Sequence, residues 1–95
     1  MLFPRGVNAK VLNGLVHELR MRGLWAERHS YSIRIAYNGL FVASLHLYPG
    51  FNEAVLRLYG RSDVNRHVQK EVEALIRKYF PDYVLRAVVL RQTLG

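Results

Sequence analysis

The chain has 95 residues, 51% of them hydrophobic, and it carries a formal net charge of +7 with no cysteine. This length and apolar content predict one folded domain over residues 1–95 and exclude a disordered chain. The lack of cysteine excludes disulfides and thiolate metal sites, and no apolar run approaches the roughly 18 residues of a membrane span, so no membrane association and a cytoplasmic location are expected.

The positive charge is the first indication of a partner. Of the 14 basic residues, only Lys10, Lys70 and Lys78 are lysines and the rest are arginines. A small body with this charge attracts polyanions, and guanidinium groups bind phosphate through two hydrogen bonds and stack on bases. The alternative is a GC-rich or thermophilic genome that uses arginine wherever a cation is needed.

In chain order, the first predicted element is a helix. Asn8 is a good N-cap, apolar residues recur at helical spacing between Val11 and Leu19, and Gly23 provides a C-terminal stop. These signals predict a helix over residues 9–22.

Three strand-like segments follow the helix. Residues 31–37 alternate between apolar and polar side chains and lead into Asn38-Gly39, a strong signal for a two-residue hairpin turn. Residues 40–48 are the returning strand, residues 49–52 form a second turn, and residues 53–60 form a third strand.

A second helix and a last strand complete the chain. Ser62 or Asp63 begins the helix, its apolar stripe runs from Val64 to Tyr79, and Pro81 ends it. Residues 84–91 are rich in β-branched side chains. The predicted order is α-β-β-β-α-β, an α+β domain in which an antiparallel meander sheet has two helices packed on one face.

The register set by the Asn-Gly turn predicts which side chains share a face. The first predicted face carries Tyr31, Ile33, Ile35, Tyr37, Leu40, Val42, Ser44, His46, Val55, Arg57 and Tyr59. The second carries Ser32, Arg34, Ala36, Phe41, Ala43, Leu45, Leu47, Ala54, Leu56 and Leu58. Both faces are apolar in this register, and two helices can cover only one of them. We therefore expect the helices on the second face, and a ligand or another subunit on the first.

The first predicted face combines aromatic rings with arginine and hydroxyl groups, which is typical of a surface on which unpaired bases stack. Tyrosine is also a good strand former, so the rings could equally be ordinary strand residues at an interface. The predicted nucleic-acid-binding residues are those of this face and its basic rim: Trp25, Arg28, Tyr31, Tyr37, His46, Arg57, Tyr59 and Arg61.

Patterns that would indicate catalysis are not found. The four histidines are scattered, no glycine-rich phosphate loop occurs, and neither a metal nor a cofactor is predicted. The element order resembles PD-(D/E)xK nucleases, but residues 31–37 and 40–48 contain no Asp or Glu to hold Mg²⁺. It also resembles double-stranded RNA-binding domains, whose Gly-Pro-x-His loop is replaced here by Asn38-Gly39. We therefore predict that the chain is not an enzyme.

Another resemblance covers the whole chain. Two helices, an aromatic-bearing antiparallel sheet, an arginine-rich charge, no cysteine and a small size resemble the ThermoDBP-related single-stranded DNA-binding proteins of archaea. The resemblance implies an archaeal, thermophilic source, binding of single strands without strong sequence preference, and a homo-oligomer, either a dimer or a tetramer.

The sequence therefore predicts a non-enzymatic, sequence-tolerant protein that binds single-stranded nucleic acid, DNA preferred, as a homo-oligomer. Two alternatives remain open from the sequence. One is a domain that binds structured or double-stranded RNA, and the other is a homo-oligomeric protein-interaction module with no nucleic-acid role.

Overall fold

The first helix begins at its predicted cap. The computed structural model describes residues 8–90, in which α1 spans Ala9–Met21. The Asn8 Oδ1 accepts a hydrogen bond of 3.0 Å from the Val11 backbone N–H, which satisfies one donor left free at the helix start. Gly23, with φ of +84°, follows the helix in the left-handed conformation typical of such ends. The predicted first helix is confirmed.

The described residues form one sheet with one strand more than the sequence predicted. Its strands are β1 (Trp25–His29), β2 (Ser32–Tyr37), β3 (Leu40–Tyr48), β4 (Glu53–Leu58) and β5 (Val84–Val89), and they lie side by side in chain order. The segment of β1 was expected only to lead into the first strand. The expectation that the last strand reaches residue 91 lies partly outside the described residues.

The second helix sets the direction of the last strand. Helix α2 (Ser62–Tyr79) follows β4 and returns the chain to the same end of the sheet, so β5 pairs with β4 in parallel, whereas β1 to β4 are antiparallel. The α+β class, with two helices packed on a mostly antiparallel sheet, is confirmed. The predicted antiparallel pairing holds for β1 to β4, and β5 departs from it because it is parallel to β4.

A single hydrophobic core lies between the two helices and one face of the sheet. Its helical part includes Leu15 and Leu19 of α1 and Val68 and Leu75 of α2, all fully buried. The helices are also joined by polar contacts, since the Glu18 carboxylate accepts hydrogen bonds from the Tyr79 hydroxyl and from Lys78 Nζ. Both contacts stabilise the ionised carboxylate and lower the pKa of Glu18. Both helices therefore occupy the same side of the sheet.

The β2–β3 hairpin contains a register shift that the sequence did not predict. Asn38 and Gly39 form the expected turn, with φ of 51° and 79°, and Tyr37 pairs with Leu40. Beyond the turn, Ile35 pairs with Ala43 and not with Val42, because β3 contains a β-bulge there. All pairs further from the turn are therefore displaced by one residue from the predicted register.

This shift corrects the predicted faces. Ile33 of β2 lies opposite Leu45 of β3, which lies opposite Leu56 of β4, and all three side chains are fully buried. Arg34, by contrast, lies opposite Ser44 on the other side of the sheet. The helices therefore cover the expected face of β3 and β4, but the opposite face of β2 from the one predicted.

The correction also removes the expectation that both faces are apolar. The aliphatic side chains of β2, β3 and β4 mostly point to the helices, and the other side is a mixed surface that no element of residues 8–90 covers. We call this surface the open face, and it carries Trp25, Glu27, His29, Ser32, Arg34, Ala36, Phe41, Ser44, His46, Tyr48, Glu53, Val55, Arg57, Tyr59, Val84, Arg86 and Val88. Strand β5 exposes apolar side chains on both of its faces, with Val84 on the open face and Val89 on the helix side.

Candidate nucleic-acid interface

Three aromatic side chains cross the open face at one end of the sheet. Trp25 and Phe41 lie on either side of Ala36, on the two strands that flank β2, and the Phe41 ring centroid is 5.4 Å from that of Tyr59. Trp25 is 54% exposed and Phe41 is 47% exposed. Because Ala36 is small, a shallow pocket remains between the two larger rings. We call Trp25, Phe41 and Tyr59 the aromatic row.

Arginine side chains lie against two of these rings. The guanidinium carbon of Arg20 is 4.3 Å from the Trp25 ring centroid, and that of Arg34 is 4.8 Å from the Phe41 centroid. Arg20 is held in place because its Nε and Nη2 donate to the Ala26 carbonyl oxygen at 3.0 Å and 2.7 Å. These cation–π contacts place positive charge beside the rings.

A polar row lies next to the aromatic row. Ser44 lies between Arg34 and Arg57 on the neighbouring strands, and its hydroxyl is 3.0 Å from the Tyr59 hydroxyl, with which it shares a hydrogen bond. Within the described chain, neither arginine forms an ion pair with a carboxylate. Arg86 differs, since its Nη1 is 3.7 Å from Glu53. Arg34 and Arg57 can therefore contact an anion without first losing a salt bridge.

His46 adds a neutral donor and acceptor to the open face. Its ring is stacked with that of Tyr48, with centroids 6.4 Å apart. Partial burial, together with the positive charge of Arg57, lowers the pKa of His46 below its usual 6.5. Both effects favour the uncharged imidazole, which offers one donor and one acceptor.

The aromatic row continues into a groove of about 900 Å³ at the end of the sheet, which we call the end groove. Its walls include Tyr59 and Arg61, which flank Gly60 at the junction of β4 and α2. The buried Asn65 side chain fixes this junction, because it accepts a hydrogen bond from the Gly60 N–H and donates one to the Gly60 carbonyl, each at 3.0 Å. A Cβ at Gly60 would come within 3.2 Å of Asn65 Oδ1, so the close approach favours glycine.

Most of the predicted binding residues lie on the open face or line the end groove. Trp25, His46, Arg57 and Tyr59 are on the open face. Tyr37 and Arg61 line the end groove beside Tyr59, although Tyr37 also packs against the core and its ring is 5.6 Å from that of His67. The structure therefore brings Trp25, Tyr37, Arg57, Tyr59 and Arg61 together near one end of the sheet, whereas His46 lies opposite Ser32, at the other end of β2.

Arg28 and Tyr31 lie on the helix side of the sheet and not beside the aromatic row, so the predicted grouping of these two side chains with Trp25 and Tyr59 is not observed. Arg28 is opposite Ile33 on the helix side, where Nε donates to Asn13 Oδ1 at 3.2 Å and Nη1 donates to the Ser30 carbonyl at 3.1 Å. Tyr31 is partly buried against the core. Arg28 therefore joins the β1–β2 turn to α1, and Tyr31 packs against the core.

Sequence reasoning missed three residues of the site: Arg20, Arg34 and Phe41. The bulge at Val42 is the reason that Arg34 and Phe41 were placed under the helices. The alternation of β2, with Ile33 and Ile35 separated by Arg34, is the signal that could have placed Arg34 outside. No local signal places Arg20 against Trp25, because that contact joins a helix to a strand.

The arrangement suits a ligand with flat rings and negative charge. Planar exposed side chains offer faces on which bases stack, and the adjacent guanidinium groups can donate to phosphate oxygens. Residues 8–90 contain no group of three or more His, Cys, Asp or Glu side chains that could hold a metal ion. No helix of this part of the chain is long and apolar enough to cross a membrane.

The chain matches no protein-family model and no curated protein.

Proposed function

We propose that the chain is a non-enzymatic, sequence-tolerant protein that binds single-stranded nucleic acid, with DNA preferred, and that it acts as a homo-oligomer. The observation that supports this most is the aromatic row with Arg20 and Arg34 beside its rings, on a sheet face that the described helices leave open. In this proposal the bound nucleic acid runs from Trp25, across the open face, to the end groove and Arg61.

Stacking explains why this site tolerates any sequence. Every base has a π-face, and base stacking on an aromatic side chain contributes about 1–3 kcal/mol regardless of the base's identity. Arg34 and Arg57 bind the backbone phosphates, which carry no sequence information. A duplex keeps its bases stacked inside and cannot offer them to Trp25 and Phe41, so single strands are the preferred form. The preference for DNA over RNA rests on the resemblance to the archaeal ThermoDBP-related proteins.

Trp25 provides a direct test, because it is the only tryptophan in the chain. Titration with a single-stranded oligodeoxynucleotide should quench Trp25 fluorescence, and a duplex of the same length should compete weakly. Phe41→Ala should weaken binding by about 5- to 150-fold, the equivalent of one stacking contact of about 1–3 kcal/mol. Single-stranded RNA and double-stranded RNA of equal length serve as competitors that test the preference for DNA.

Phe51→Ala is the matched control for this substitution. Phe51 is 83% exposed in the turn between β3 and β4, away from the aromatic row, and its loss should leave binding unchanged. Equal losses in both variants, or none in Phe41→Ala, would remove the aromatic row from the site. Unchanged Trp25 fluorescence with every oligonucleotide would favour the protein-interaction alternative.

A further inference from the structure

The two edges of the sheet differ in how they are protected from pairing with another strand. At β1, the Ala26 carbonyl accepts two hydrogen bonds from Arg20, and the strand itself carries the charged residues Glu27 and Arg28. Charges on an edge strand and side chains that cover its backbone both discourage association. The β1 edge is therefore blocked.

Among residues 8–90, no strand pairs with the outer side of β5, so its backbone groups on that side are free and their positions are known. The Val84 N–H donates to the Asn52 carbonyl at 2.9 Å, and the Leu90 N–H donates to the Leu58 carbonyl at 2.8 Å. In a parallel pair, alternate residues direct both backbone groups to the same neighbour. The even-numbered residues of β5 therefore bond to β4, and the backbone groups that point away from the sheet belong to Leu85, Ala87 and Val89.

The side chains of β5 do not protect this edge. The strand contains no proline or lysine, and its only charged residue is Arg86, which forms an ion pair with Glu53. Val84 on the open face is 63% exposed, and Val89 on the helix side is 61% exposed. An apolar edge strand with free backbone groups is a template for another strand. Within residues 8–90, β5 pairs with β4 alone.

We propose that the β5 edge pairs with the β5 edge of a second copy of this chain, antiparallel and about a two-fold axis at Ala87. In this register Leu85 lies opposite Val89 of the second copy, and Val84 lies opposite Leu90. Arg86 lies opposite Val88. Apolar side chains therefore meet on both faces, and no two cations are directly opposed.

The backbone selects this register over its neighbours. With the axis at Ala87, all outward-pointing residues fall in hydrogen-bonded pairs, which supply about six N–H···O bonds across the interface. With the axis at Arg86, the two guanidinium groups would be directly opposite each other, which is destabilising. The net charge of +7 opposes self-association everywhere on the surface. The β5 edge reduces this repulsion, because its one cation is already paired with Glu53.

The two-fold axis is perpendicular to the sheet in this arrangement. Antiparallel pairing at an edge continues the sheet, so the open faces of both copies lie on the same side and form one surface. The interface is independent of the proposed nucleic-acid binding, because it follows from the backbone of β5 and not from the aromatic row. The proposed homo-oligomer is then a two-fold symmetric dimer, in which each β5 edge is paired with the other.

Proline at position 87 tests the interface. The Ala87 N–H points away from β4, so Ala87→Pro removes an intermolecular donor and leaves the β4–β5 ladder intact. The matched control is Ala87→Thr, which keeps the N–H. Val89→Lys is a second disrupting variant, because it adds a charge at an exposed side chain that would face Leu85 of the second copy. Circular dichroism and thermal unfolding check that each variant is folded.

Sedimentation equilibrium without nucleic acid gives the readout. We expect the natural chain and Ala87→Thr to have twice the chain mass of 11.0 kDa, and Ala87→Pro and Val89→Lys to have the mass of one chain. A single-chain mass for the natural protein, an intact dimer in folded Ala87→Pro or Val89→Lys, or assembly beyond two chains would overturn the proposal. A dimer that binds no oligonucleotide refutes the proposed nucleic-acid binding and leaves this interface standing. A monomer that binds refutes this interface and the homo-oligomer, and leaves the proposed nucleic-acid binding standing.

Discussion

The salt dependence of oligonucleotide binding tests whether Arg34 and Arg57 contact phosphate. The perturbation is the double variant Arg34→Gln/Arg57→Gln. Its matched control is Arg66→Gln/Arg77→Gln on α2, where both side chains are exposed on the helix layer, away from the open face. Each double variant loses two cations, which changes the formal net charge from +7 to +5 in both. Any difference between them therefore depends on where the charge lies.

The number of unpaired arginines beside the aromatic row sets the expected salt dependence of binding. Arg34 and Arg57 on the open face, and Arg20 of α1 beside the Trp25 ring, have no carboxylate partner among the described residues. At about 0.7 per phosphate contact for single strands, three contacts give a slope of about −2 for log affinity against log salt, and the double variant retains about −0.7. Extrapolated from about 1 M salt, that difference makes binding about 25-fold weaker at about 0.1 M salt.

Fluorescence anisotropy with a labelled single strand at several salt concentrations measures both quantities. The control double variant should keep a slope near about −2. If both double variants lose affinity and slope equally, net charge alone attracts the nucleic acid. In that case the open face would have no special role in holding phosphate.

Two further predictions concern stability and follow from the register and from His46. The pKa of His46 is lowered from 6.5 in the folded chain, so the unfolded chain binds the proton more readily. The contribution of His46 to the free energy of unfolding should therefore be fully present above pH 6.5 and be lost as the pH falls below it. Urea unfolding across this pH range should show a smaller loss in His46→Gln. Ile33→Ala should lower the free energy of unfolding by about 2–5 kcal/mol because Ile33 is fully buried, whereas Arg34→Ala beside it should change it by less than about 1 kcal/mol. Similar losses in both variants would contradict the observed faces of β2, and a pH dependence unaffected by His46→Gln would contradict the assigned pKa shift.

Local signals were sufficient to predict most of the elements. Asn8 caps α1 by its own side chain, Asn38-Gly39 adopts the positive φ values that its turn requires, and Pro81 follows the end of α2. Each of these depends on residues close together in the sequence. The first strand, β1, gave no such signal, because Ala26 is its only buried residue and the strand forms by pairing with β2 and packing under α1.

The candidate site was only partly predictable, because the positions of its side chains depend on contacts between residues far apart in the sequence. Trp25, Arg57 and Tyr59 were identified because aromatic and basic residues near strand ends are visible in the sequence. Tyr31 was misplaced because the bulge turns the Ile33 and Ile35 side of β2 toward the helices, and Tyr31 packs against the core on that same side. Arg20 contributes through a contact between α1 and β1, which no sequence period describes. The sequence therefore predicted which residue types take part in the candidate site better than it predicted where they lie in the fold.

The bulge at Val42 links the fold to the proposed site. Val42 and Ala43 are both buried in the core, so two consecutive residues of β3 point inward, and Phe41 then lies opposite Ala36 on the open face. The Val42 carbonyl also accepts a hydrogen bond of 2.7 Å from the Tyr59 N–H, which holds Tyr59 beside Phe41. With regular pairing, Phe41 would point to the helices and the aromatic row would lose its centre. Bulges often redirect a side chain in this way beside binding sites. The bulge at Val42, which the sequence did not predict, therefore also brings together the rings on which the proposed function depends.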